Sequence, residues 1–144
     1  MKSKIYKFSP CPITDKNGRQ IATALRPIIE IVLTLDNKSR LFSGLIDTGA
    51  DLCIFPAWIA KHFGHNLLLG KERTIKGLCG STKAYKHTTF ISVFDAGFRC
   101  DSYYSEDKDI NNLGFGILGF PFLINFEVEF RYPDYFKISE RKVY

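Results

Sequence analysis

The chain has 144 residues, 45% of them hydrophobic and 15% aromatic, which suits one compact domain with an ordered core and leaves too little length for a second full domain. Charged residues make up 24% and the formal net charge is +5, a balance typical of a folded globular chain rather than a disordered one. The cations are scattered from Lys2 to Lys142 and usually lie near acids, as in Lys71-Glu72-Arg73, so a solvated surface is favoured over nucleic-acid binding.

The start, Met1-Lys2-Ser3-Lys4-Ile5, is basic but has no apolar run behind it, so no secretory signal is expected and a cytoplasmic setting is. Asn37-Lys38-Ser39 is then an idle glycosylation sequon. Ile5 to Ile13 and Arg19 to Leu25 flank the turn signal Asp15-Lys16-Asn17-Gly18, which predicts that residues 1–26 form an N-terminal hairpin ahead of a main domain spanning 27–144. Ile28 to Leu35 reads as a strand, Asp36 to Ser39 as a turn and Arg40 to Ile46 as the antiparallel return, delivering Asp47 just past a strand end.

Leu52 to Phe55 is a further short strand. Pro56 suits the first turn of a short helix running to about Phe63, with Gly64 as its stop and with Trp58 and Phe63 expected in the core. Strands are predicted around Arg73 to Lys76, Tyr85 to Phe94 and Phe98 to Tyr104, and a polar loop over Ser105 to Asn112. The longest uncharged stretch, Ile110 to Phe126, is interrupted by Pro121, Gly and Asn and falls short of the ~20 apolar residues a membrane span needs. Phe126, Val128 and Phe130 alternate with Glu127, Glu129 and Arg131 as in a half-buried strand, and Tyr132-Pro133-Asp134 turns it into Tyr135 to Ile138. The whole pattern is all-β with little helix. Cys11, Cys53, Cys79 and Cys100 form no Cys-x-x-Cys pair and have no histidine at zinc-finger spacing, so free thiols are expected and no metal site.

The stretch that carries chemistry is Leu45-Ile46-Asp47-Thr48-Gly49-Ala50-Asp51, an acid and small residues following an apolar strand. An Asp-Thr-Gly alone also suits an aspartate closing an Asx turn. A second segment, Gly116-Ile117-Leu118-Gly119, precedes the apolar run Pro121 to Asn125, and between the two lies Ile75-Lys76-Gly77-Leu78-Cys79-Gly80-Ser81-Thr82, which on its own reads as a plain hairpin. Taken in this order the three segments resemble the catalytic loop, the supporting apolar strand and the flap of retropepsins, over about Ile28 to Ile138.

That resemblance implies a closed β-barrel of the retropepsin type with one or two short helices, acting without a cofactor as a two-fold homodimer that cleaves extended peptides. Asp47, Thr48 and Gly49 become the catalytic residues, Thr48 bonding across the axis. Ala50, Asp51, Gly77, Leu78, Cys79, Gly80 and Ile117 become the substrate-binding ones. Two carboxylates about one water share a proton because close like charges resist double ionisation, the general behaviour of aspartic protease dyads. One Asp-Thr-Gly per chain therefore calls for two chains. The sequence departs from the viral pattern after Gly119, where Phe120-Pro121 stands in place of the usual arginine, leaving Asp51 to Arg26, Arg131 or solvent. Neither chain end matches the viral intersubunit sheet. Three other readings remain at this stage: a silent peptide-binding or assembly module; Cys79 or Cys53 as a nucleophile with His62, His65 or His87; and a monomer drawing its second acid from Asp51 or Asp109.

Overall fold

The computed structural model describes residues 2–77 and 80–142. In chain order the strands and helices are β1 (Ser3–Tyr6), β2 (Ser9–Thr14), β3 (Gln20–Arg26), β4 (Ile28–Leu35), β5 (Lys38–Ile46), β6 (Ile54–Pro56), α1 (Ala57–His62), β7 (Lys71–Gly77), β8 (Gly80–Val93), β9 (Ala96–Ser105), α2 (Lys108–Asn111), β10 (Gly116–Leu118), α3 (Phe120–Asn125), β11 (Phe126–Arg131) and β12 (Tyr135–Glu140). A single 3-10 turn, Leu67–Leu69, leads into β7. The chain is mostly β with few short helices.

Seven strands form the main sheet in the order β4-β5-β10-β6-β9-β8-β7, and β4 also pairs with β8. Hydrogen bonding therefore runs in a circuit through β4, β5, β10, β6, β9 and β8, and β7 is left as an outer strand attached to β8. Alternation explains the strands: in β4, Ile29, Ile31, Leu33 and Leu35 are buried and their neighbours are not, so one face feeds the core. The core also takes Phe55, Ile59, Ile91, Tyr104, Leu118 and Phe122, each at 0% exposure. Burying a side chain of this size stabilises by roughly 1.5–3 kcal/mol. Asp36 and Asn37, at φ 47° and 64°, make the tight β4–β5 turn, a left-handed pair that short polar side chains tolerate.

A second, three-stranded sheet has the order β1-β12-β11. Here the structure corrects the sequence reading. The run from Ile5 to Ile13 is two strands, and only the second forms the expected hairpin, β2 with β3, its turn closed by the Asp15 carboxylate accepting from Asn17 N and Arg19 N at 2.8 and 3.0 Å. β1 instead pairs antiparallel with β12, Ser3 facing Ser139 and Tyr6 facing Phe136. The reason is aromatic burial: Phe8, between the strands, packs on Phe136, Tyr132 and Phe130 with ring centroids 5.0, 5.3 and 6.3 Å away.

The helices differ from expectation in two respects. The helix after Pro56 forms, but Trp58 is 37% exposed, its ring edge against Phe42 and the Arg40 guanidinium 5.2 Å over it, while Phe63 is buried as expected. The predicted loop over Ser105 to Asn112 contains α2, which raises the number of short α-helices to three among the described residues. Asp107 caps it by accepting from Asp109 N at 2.9 Å, and Asn111 receives the Ala57 N–H at 3.1 Å. No helix among the described residues is long and apolar enough to cross a membrane.

Candidate active site

β5 ends at Ile46 and the chain turns sharply at Asp47. Its backbone N–H donates to Leu118 O at 3.0 Å, its carbonyl accepts from Ala50 N at 3.3 Å, and its carboxylate oxygen Oδ1 accepts from Gly49 N at 2.9 Å. The Asx turn that the tripeptide alone suggests is therefore present. Asp47 is half-buried, Thr48, Gly49 and Asp51 are exposed, and Ala50 is half-buried.

β10 supports this loop from beneath. It runs parallel to β5, Ile117 facing Leu45, and antiparallel to β6, Ile117 facing Ile54. Gly119 follows where two backbones meet: a Cβ there would lie 2.3 Å from Leu52 O and 2.5 Å from Ala50 O, so only glycine fits. The next residue, Phe120, donates its N–H to Ala50 O at 2.8 Å. Gly44 and Gly116 make room in the same layer, the first against Leu118 and the second against Phe55.

A cleft of about 520 Å³ opens over the loop, lined by Asp47, Gly49, Ala50, Asp51, Leu52, Ile54, Ile117 and the strand run Arg73 to Lys76. Of the residues singled out from sequence, Asp47, Gly49, Ala50, Asp51 and Ile117 meet at this cleft, whereas Thr48 is not among its lining residues. Gly77 and Gly80 face each other at the ends of β7 and β8, beyond the lining, and Leu78 and Cys79 lie outside the described residues. Sequence reasoning missed Leu52, Ile54 and the β7 wall. The run Arg73 to Lys76 reads as a strand, but nothing local says what that strand faces.

Arg73 is held in place, its guanidinium 5.4 Å over the Tyr103 ring and Nη1 donating to the Tyr103 hydroxyl at 3.2 Å. Asp51 forms no ion pair among the described residues. Arg131, one of the partners offered for it, bonds Glu129 at 2.5 Å instead. Asp109 sits on α2 and is not among the cleft residues, so within one chain the cleft acids are Asp47 and Asp51.

Among the described residues the thiol reading finds no matching geometry at Cys53, and Cys79 lies outside them. Cys53 is fully buried, and hydrogen bonding with Cys100 together with burial pushes its thiol far up. Cys100 moves the other way because that same bond favours its thiolate. Sealed in the core, the Cys53 thiol stays protonated. His65 and His87 bond each other rather than a cysteine. Cys11, Cys53 and Cys100 are free, as expected, and no group of three potential metal ligands occurs among the described residues.

Neither a protein-family model nor a curated protein matches the sequence. Solved structures do match the fold. A retropepsin-like aspartic protease from Rickettsia conorii superposes with a TM-score of 0.59 at 18% identity, covering 95% of this chain and 98% of that one. EIAV protease in complex with an inhibitor superposes with a TM-score of 0.51 at 16% identity, over 78% of this chain and 92% of that one. With the loop at Asp47, the strand under it and the hairpin over it in the order the sequence suggested, the fold of this chain is retropepsin-like.

Proposed function

We propose that the chain is an aspartic endopeptidase of the retropepsin kind, in which Asp47 from each of two copies activates one water against the peptide bond of an extended substrate. The observation that carries this reading is the Asp47 loop itself. One carboxylate oxygen is fixed by the Gly49 N–H, and Asp47 lines the cleft on a loop braced by Leu118 and Gly119. One carboxylate of the pair ionises and takes the water's proton, while its protonated mate polarises the scissile carbonyl, so no metal or cofactor is required.

The two-fold dimer supplies the second acid. In this reading Thr48, exposed and outside the cleft lining, meets the partner copy, and the strand circuit is a closed barrel with residues 27–144 as the catalytic unit. Residues 1–26 extend it through β1 and the β2–β3 hairpin. The hairpin of β7 and β8, with its glycines Gly77 and Gly80 and its tip Leu78-Cys79, is the flap. β7 carries hydrogen bonds to β8 on one edge only, so its other edge suits an added peptide strand over Thr74 to Lys76. Asp51 then receives backbone N–H groups of the peptide, and Ala50 and Ile117 contact its side chains. Free thiols fit a reducing compartment, and we place the protein in the cytoplasm.

The test is cleavage of a diverse peptide library by the wild-type chain and by Asp47→Asn, with products mapped and with a pepstatin-like transition-state analogue set against thiol alkylation. Wild-type cleavage blocked by the analogue and absent in Asp47→Asn is the expected result. Binding of peptides with no cleavage at any pH would mark a silent module, and inhibition by alkylation alone would mark a thiol enzyme.

A further inference from the structure

Away from the cleft, three titratable side chains from three parts of the fold are strung together. Asp36 from the β4–β5 turn bonds Nδ1 of His65, which follows α1. His65 Nε2 meets His87 Nδ1, on β8, at 2.6 Å, and His87 Nε2 meets Leu67 O at 2.8 Å. The imidazole rings cross at 82° with centroids 4.4 Å apart. His87 is 7% exposed, and Gly70 packs close against it, since a Cβ there would lie 2.6 Å from Nε2.

Counting donors settles how many protons this string holds. Both ends, the Asp36 carboxylate and the Leu67 carbonyl, only accept. Hydrogens are therefore required on His65 Nδ1 and on His87 Nε2. The bond between the rings needs one more, on either His65 Nε2 or His87 Nδ1. Two neutral imidazoles carry two ring hydrogens between them, one too few for three bonds in series. The geometry thus calls for one imidazolium.

We propose that Asp36, His65 and His87 form a clasp that holds one shared proton, and that while it is held the clasp fixes the root of the β7–β8 hairpin. The proton belongs on His65, beside the carboxylate, leaving His87 neutral with Nε2–H toward Leu67. The 3-10 turn Leu67–Leu69 that the clasp grips is the segment from which β7 departs. The clasp has two ways to fail. With one proton fewer, two lone pairs face each other between the rings, and with one more, two N–H groups do.

The two nearby lysines are engaged with other groups. Lys38, on the same turn as Asp36, donates to Phe63 O at 3.0 Å, and Lys86 is directed to Asp101 at 3.8 Å. Tyr104 of β9 lies with its ring 5.8 Å from His87, its hydroxyl bonded to Thr89 at 2.8 Å. Burial lowers the His87 pKa, opposed by its bond to Leu67 O. The sign follows: as pH falls below the ordinary histidine value of about 6.5, an unfolded chain takes up a proton that folded His87 still refuses. Stability from neutral His87 is thus present above that value and lost as pH falls through the lower, folded one.

The experiment is nitrogen-15 NMR of the imidazoles in the full chain from about pH 5 to about pH 9, with hydrogen exchange at the Leu69 and Gly70 amides, which donate to Asn66 O and Leu67 O. Three ring protons on the pair are expected over a middle range, His65 doubly protonated and His87 as the Nε2–H tautomer. Amide protection, corrected for intrinsic exchange, should fall about tenfold where the third proton leaves, the scale of one lost hydrogen bond. In His65→Ala that pH dependence should vanish. Two ring protons throughout, or unchanged pH-dependent protection in His65→Ala, would overturn the clasp. If His65→Ala does not fold, the wild-type proton count still decides. None of these readings depends on peptidase activity.

Discussion

At Asp47 the local chemistry and the global fold make separate demands on one residue. Its backbone is tied to Leu118 and Ala50 and its carboxylate to Gly49 N, so an asparagine can keep the same turn through its carbonyl oxygen while losing the charge. We expect Asp47→Asn to lower peptide turnover roughly a thousandfold or more with the thermal midpoint little changed, as followed by peptide cleavage and calorimetry side by side. Full activity in the purified variant would remove Asp47 from the mechanism. Gly119 presents the opposite case, because its role is space rather than charge. Gly119→Ala places a methyl 2.3 Å from Leu52 O, and both backbones around it are bonded in place. It should destabilise by about 1–3 kcal/mol, measured by denaturant unfolding, and should disturb the Asp47 loop before the rest of the fold. An Ala variant as stable as wild type would show that the loop has room to shift.

Among the elements, those governed by local rules were legible in the sequence. The alternation of β4, the Asp36-Asn37 turn, the helix between Pro56 and Gly64 and the Asp47-Thr48-Gly49 loop follow from spacing and from residues with strong conformational preferences. Most of the failures needed a distant partner. β1 separates from β2 because Phe8 finds Phe130 and Phe136, residues more than a hundred positions away. α2 forms in a polar segment because Asp107 caps it and Asn111 reaches Ala57, and Trp58 stays at the surface because Arg40 and Phe42 meet it there. In the candidate site, likewise, the β10 support was readable from Gly116-Ile117-Leu118-Gly119, whereas the β7 wall depends on how far the hairpin folds back over the loop. That hairpin has its own test. Gly80 has φ +133° with nothing among the described residues within 4 Å of a Cβ, so a side chain there meets backbone strain rather than a clash with them. Replacing Gly77 and Gly80 together by valine should lower turnover about tenfold or more while costing roughly 1–3 kcal/mol in stability, compared by steady-state kinetics and thermal unfolding. Losses that match in proportion would identify the hairpin as an ordinary structural turn.

For the whole molecule the question is where a second carboxylate comes from. Within one chain the cleft offers Asp47 and Asp51, and these differ in setting: Asp47 is half-buried and braced from beneath, Asp51 is exposed and unpaired among the described residues. Two carboxylates that share one proton must lie close together, and a two-fold axis would bring Asp47 of two copies together in equivalent settings. If so, specific activity falls on dilution as the dimer dissociates. Mixing is the sharper measurement. When Asp47→Asn protein exchanges subunits with wild type, each mixed dimer holds one Asp47 carboxylate and should be nearly inactive. With random exchange at equal amounts, half of the wild-type subunits then sit in mixed dimers, so activity should drop to about half that of the same wild-type protein alone. A larger excess of the variant should depress it further, beyond any effect of dilution. A monomer using Asp51 as its second acid gives no such loss, because the variant would be a bystander. Activity equal to that of the wild-type content, under conditions where labelled subunits are seen to exchange, would therefore exclude a site shared between two chains.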